Sequence, residues 1–178
     1  MKRTLMSVIA LTSALALAGC SGSEQAGHND ADVMFAQMMI PHHEQAIEMA
    51  DVVLAKPDVD PEIINLANEV KAAQAPEIEE LSQWLDAWGA EPSAEHSGHA
   101  GMEGMMSDED MQTLTVAAAP EANRLFLEQM IAHHEGAVEM AQTEIESGQD
   151  AGAVEMAQTI VDTQQAEIET MEDLLTSM

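Results

Sequence analysis

Cysteine occurs once in these 178 residues, at Cys20, tyrosine is absent, and Phe and Trp occur twice each. A lone cysteine excludes an intramolecular disulfide. A core this short of aromatics has to be filled by Leu, Ile, Val, Ala and the 15 Met, which suits packed helices. Basic residues are scarce too: five Lys and Arg stand against 33 Asp and Glu, for a formal net charge of −28. A field of that sign repels nucleic acid and anionic lipid and attracts cations, although a saline habitat would favour the same surface. No apolar run reaches the ~20 residues of a membrane-spanning helix. No segment has a convincing strand pattern, and no loop has the spaced oxygen ligands of an EF-hand.

The chain opens with a segment that does not read as part of the fold. Lys2 and Arg3 precede an apolar, Ala-rich stretch from Leu5 to Leu17, the length of a signal-peptide core. It ends in Leu17-Ala18-Gly19-Cys20, which resembles the bacterial lipobox. The expectation is a lipoprotein signal peptide over 1–19, a lipid-modified Cys20 with a Gly/Ser-rich tether over 20–30, and a helical domain over 31–178. The alternative is an ordinary signal peptide with an incidental cysteine. Beyond residue 19 only Lys56, Lys71 and Arg124 are basic. The protein would then face the periplasm or exterior, touching the membrane only through its anchor.

An internal repeat organises the rest. Phe35–Ala50, FAQMMIPHHEQAIEMA, and Phe126–Ala141, FLEQMIAHHEGAVEMA, agree at ten of sixteen positions with an offset of 91. A weaker match follows at an offset of 90, where Gln74, Glu77 and Leu85 correspond to Gln164, Glu167 and Leu175. Two copies are too few for a solenoid. Each half, about 31–89 and 107–178, reads as two helices, with a His/Met-rich linker at about 90–106. The predicted helices run from Asp30 to Lys56 with a kink at Pro41, from Pro61 to Gly89 with a disturbance at Pro76, from Pro120 to Ser147 with a glycine stop at Gly148, and from Ala151 to the end. Ser107 would cap a short extra helix. The fold class is all-α: an antiparallel four-helix bundle made of two pseudo-symmetric helical hairpins.

A helical wheel puts Phe35, Met39, Ala46, Ala50 and Val53 on one buried face, with His43 to one side of it and His42 to the other. Met49 and Met38 share the flank of His42. The second copy places His133, His134, Met130 and Met140 alike. On the following helices Gln74 and Gln164 fall in the apolar stripe, with Glu77 and Glu167 beside them. An unpartnered buried Gln costs about 1–3 kcal/mol, so nearby imidazole N–H groups are expected to satisfy it. The arrangement is either a closed hydrogen-bonded network that fixes helix register or a layer orienting His ligands. Four inward imidazoles are costly to bury unless something pairs or coordinates them, which favours a metal.

The candidate ligands are His42, His43, Met49, His133, His134 and Met140. Met38, Met39 and Met130 are possible additions, although Met at helical spacing is often core filler. The linker adds His96, His99, Met102, Met105 and Met106, unless it is only a tether. Imidazole with thioether and no thiol is a soft set that points to copper, whereas Met adds nothing for zinc.

The segments MIPHHEQAIEMA and MIAHHEGAVEMA, followed by AQAPEIEEL and TQQAEIETM, resemble the domain-of-unknown-function 305 family over roughly Asp32 to Met178. The resemblance implies a ferritin-like helical bundle, usually exported, of a kind that in some members binds copper through His and Met. It extends that role to His42, His43 and Met49 and to His133, His134 and Met140. Gln45 departs from the Gly of the second copy, Gly136, so close helix approach is expected to be looser in the first half.

Three functions compete. The first is an envelope protein that sequesters copper or exchanges it with a donor or acceptor protein or a second copy of itself. The second is a metal-free structural or interaction bundle. The third is a ferritin-like di-metal oxidase, and that class uses Glu-x-x-His, which this sequence lacks. The expectation is therefore a binding protein and not an enzyme.

Overall fold

The computed structural model describes residues 27–92 and 103–178. These form five helices: α1 Asp30–Leu54, α2 Pro61–Trp88, α3 Asp108–Val116, α4 Ala119–Ser147 and α5 Ala151–Ser177. No strand occurs among the described residues. The signal segment, Cys20 and the linker residues His96, His99 and Met102 lie outside them, and no described helix is long and apolar enough to cross a membrane.

The helix ends follow from local chemistry. Asn29 caps α1 by accepting from the Ala31 and Asp32 N–H groups, and Asp32 accepts from the Asn29 N–H in return. Asp60 caps α2 with Pro61 at the first turn, and Gly89 ends it in the left-handed conformation at φ 68°. Ser107 and Asp110 form the capping box of α3. Neither proline ends its helix: α1 and α2 run on past Pro41 and Pro76. Gly148 ends α4 as expected, with extended backbone at φ −67°. A methyl group there would run into the Glu144 carboxyl, so close packing sets this glycine. The linker's last residues are not a free tether: Met106 packs against the core, and its backbone is held by Gln45.

Helix α1 packs on α2 and α4 on α5, and the two pairs meet through α1 and α4. The apolar core is in two parts. One holds Met49, Val53, Ile63, Leu66, Phe126, Leu127 and Met130, with Leu114 of α3 sealing it. The other holds Phe35, Met39, Leu81, Leu85, Ala137, Ala141 and Ile160. The start of α1 thus shares a cluster with the later part of α4, and the end of α1 with the start of α4. The two helices therefore run in opposite directions. Between the clusters, on all four long helices, lie His42 and His43, Gln74 and Glu77, His133 and His134, and Gln164 and Glu167.

Candidate metal centre

All four imidazoles are fully buried. His42 and His133 meet where α1 crosses α4, with ring centroids 3.7 Å apart and planes tilted by 41°. The outer two rings are held by carboxylates on the neighbouring helix. His43 Nε2 lies 2.7 Å from Glu77 Oε2, and His134 Nε2 lies 2.6 Å from Glu167 Oε2. A carboxylate only accepts, so each Nε2 is the donor, and in the neutral ring that leaves the lone pair on Nδ1. That is how carboxylates orient metal-binding imidazoles.

The expected pairing of the glutamines with the imidazoles does not occur. Both amide atoms of Gln74 and the Gln164 Oε1 lack hydrogen-bond partners among the described residues. So do the Nδ1 of His43 and of His134, and no ring nitrogen of His42 or His133 makes a well-formed hydrogen bond to a described residue, although the Glu103 carbonyl faces the His42 ring and the His42 carbonyl the His133 ring. These nine buried polar atoms at about 1–3 kcal/mol each would together rival or exceed the ~5–15 kcal/mol stability of a whole domain. The described side chains by themselves do not close the network, and the layer is suited to a guest that takes lone pairs.

The electrostatics leave those lone pairs free. Burial pushes the His42 imidazole down to about 3, helped by the neighbouring His43 and opposed by the Glu103 carbonyl that faces the ring. Burial first, and then the His42 ring, hold His133 well below the usual histidine range. Both central rings are neutral at pH 7.

Among the described residues no three His, Cys, Asp or Glu side chains are grouped to hold one ion. Zinc normally requires three or four such ligands. Two touching imidazoles with thioethers above and below suit a soft, low-coordinate ion better. Met39 and Met130 precede His42 and His133 by three residues, one helical turn, and both are fully buried. Met49 and Met140 follow by seven residues, about 10.5 Å along the axis. Met49 is fully buried in the first cluster, and Met140 is half-buried against the second. Met38, Met105 and Met106 are also half-buried.

The residues of the family's sequence profile for DUF305, a domain of unknown function, match positions 32–175. The chain belongs to the DUF305 family. A DUF305 protein from Streptomyces coelicolor, described as secreted, is 32% identical with a TM-score of 0.77, over 83% of this chain and 93% of that one. A DUF305 fragment from Deinococcus radiodurans is 32% identical with a TM-score of 0.78, over 85% of this chain and 99% of that one. CopM in its Cu(I)-bound form is 31% identical with a TM-score of 0.71, over 82% of this chain and 96% of that one. CopM structures with Cu(II) and with silver match as well. No curated protein matches.

Two features of this DUF305 protein escaped the sequence. One is the path of Glu103–Met106 across the α1–α4 seam, where Gly136 meets the Glu103 backbone rather than another helix. This corrects the expectation that Gly136 serves helix–helix approach. The other is a buried acid pair, Asp32 and Glu144, at the end of the bundle remote from Met49 and Phe126. Paired polar residues far apart in sequence leave no periodic signal, and Glu144 reads as one more acid on an acidic helix.

Proposed function

We propose that this DUF305 protein binds copper as Cu(I) in its histidine layer and serves in copper sequestration, tolerance or transfer in the cell envelope. The observation that carries the reading is the layer itself: two imidazoles oriented by Glu77 and Glu167, two more in mutual contact, and six ring nitrogens without a well-formed hydrogen bond among the described residues. His42, His43, His133 and His134 are the proposed ligands, which do not gather three to one point in this arrangement, with Met39 and Met130 one turn away and Met49 and Met140 two turns away. Gln74 and Gln164 complete the lining. The CopM relatives carrying Cu(I), Cu(II) and silver support the same chemistry.

Export as a lipoprotein through Cys20 goes with this reading, as does a pseudo-symmetric, ferritin-like bundle of two antiparallel hairpins. The secreted relative supports an extracytoplasmic location. The protein acts as a binder and not as an enzyme. His96, His99, Met102, Met105 and Met106 form a second, linker-borne capture set.

A Cu(I) competition titration, with zinc as control, tests the assignment. His42→Ala/His43→Ala and His133→Ala/His134→Ala are each expected to abolish tight Cu(I) uptake, and loss of the linker His and Met residues to weaken capture only. Unchanged Cu(I) affinity and stoichiometry in both helix variants would sink the proposal and return the layer to a structural role.

A further inference from the structure

The two copies of the repeated segment differ most tellingly at one register position, Gln45 in α1 and Gly136 in α4, three residues after His42 and His133. Both positions touch the same short stretch of backbone, Glu103–Met106. The Gln45 side chain donates to the Met106 carbonyl at 2.9 Å and accepts from the Met106 N–H at 2.7 Å. Gly136 gives that stretch its seat, because any Cβ there would run into the Glu103 carbonyl. Gly104 completes the crossing at φ 80°, where a side chain would be strained, and its own Cβ would stand 2.7 Å from the Ala132 carbonyl oxygen. The strap therefore lies across α1 and α4 at the level where His42 meets His133, with the Glu103 carbonyl facing His42. Beyond it, α3 is fixed by Lys56, whose Nζ donates to the Thr115 and Ala117 carbonyls, and by the buried Leu114.

We infer that Gln45 and Gly136 are positioning residues: as clasp and seat they hold Glu103–Met106 over the His42–His133 pair, so the pair is reached from this side only when the strap lifts. The inference rests on the copper reading for its purpose but not for its geometry. A strap held to the clasp by two neutral hydrogen bonds opens roughly ten- to a hundredfold more readily when both are removed. The difference between the copies is then a division of labour. One strap needs one clasp and one seat, and two glutamines or two glycines would supply only half of the arrangement.

The test begins without metal. The protein is treated with diethyl pyrocarbonate, which acylates neutral imidazoles, and the modified histidines are mapped by mass spectrometry in wild type, Gln45→Ala, Gln45→Met and Gly136→Ala. The expected result is acylation of His42 and His133 about tenfold faster or more in all three variants. Exchange of the Met106 amide should speed up with it, while the α2 and α5 amides keep their protection. Gly136→Ala is the sharper variant, because alanine favours the helix itself and so its effect cannot come from loosening α4. The same variants should take up and release Cu(I) faster, with affinity changing much less than either rate. Unchanged His42 acylation in Gln45→Ala and Gly136→Ala overturns the inference. So does equal acceleration at all four histidines with α2 and α5 deprotected, which would mean general loosening. If wild type takes up no Cu(I) while the strap response remains, the copper reading fails and the strap assignment stands.

Discussion

The bundle buries polar side chains in two places, and they are built on opposite terms. At the far end, Asp32 accepts from the backbone N–H groups of Asn29, Gln149 and Asp150, tying the start of α1 to the α4–α5 turn. Glu144 lies against it, pushed up to about 8 by burial and by its contact with Asp32, so at neutral pH it is largely a protonated acid donating to a carboxylate. Asn29 adds a bond from its side-chain amide to the Ser147 carbonyl. At the waist, by contrast, Glu77 and Glu167 satisfy one nitrogen each of His43 and His134, and nine other buried polar atoms make no well-formed hydrogen bond among the described residues. At the end the Asp32 carboxylate is met by backbone donors, and the two Glu144 oxygens lack a partner among the described residues unless Glu144 carries a proton and gives it to Asp32, so this pair reads as a structural tie. The waist offers lone pairs to something else. Polarity alone does not separate the two; the number of unpartnered atoms among the described residues does, two at the end against nine at the waist.

Four substitutions or conditions would sharpen or break that contrast. The largest expected effect is the loss of Cu(I) uptake when either histidine pair is replaced, as set out above, and replacing Asp32 should leave uptake intact. Next, Glu77→Gln and Glu167→Gln keep shape but replace the charged acceptor of the Nε2 proton with a neutral amide that can also turn its NH2 toward the ring. Each should weaken Cu(I) binding about 10–100-fold in the same titration. A change under threefold in both would deny the carboxylates an orienting role.

Acid should act mainly on the waist. His42 is held at about 3 in the fold against 6.5 unfolded, so the unfolded chain binds its proton first. Its stabilising effect is complete above pH 6.5 and is lost as pH falls toward 3. At pH 5 the loss from this group is about 2 kcal/mol, readable as a lower urea midpoint. His42→Gln should flatten that slope, and an unaltered slope would contradict the burial argument.

The end should answer to pH in the opposite direction. A carboxyl raised to about 8 favours the fold while protonated, so its stabilising effect is lost as pH rises from 4.5 to 8. Glu144→Gln, which cannot ionise, should remove that decline, raising Tm at pH 8 by roughly 10 °C and changing it far less at pH 5. An equal gain at both pH values would show that Asp32 and Glu144 do not share a proton.

Much of this was legible in the sequence because it is periodic. The repeat, the inward histidines and the alignment of Glu77 with Glu167 all follow from helical spacing, and the structure gives the two carboxylates equivalent contacts. The helix starts at Asn29, Asp60 and Ser107 were readable because capping chemistry is local. What was not legible is long-range and aperiodic. Gln45 and Met106 are 61 residues apart, and the contact uses Met106 backbone, which no side-chain pattern reports. Gln74 misled: its place in the apolar stripe was right, but Glu77 and not Gln74 is the histidine partner.

The split of the core into two clusters has a consequence for the lifetime of the protein. Neither cluster is sealed on its inner side except by the histidine layer, so both lean on the same few side chains. A ligand gripping that layer acts as a buckle on both at once. By linkage, an ion present at 100 times its dissociation constant would add about 2.7 kcal/mol to the stability of the folded chain. Where proteases remove the transiently unfolded fraction, the abundance of such a protein would rise and fall with the free concentration of the ion it holds.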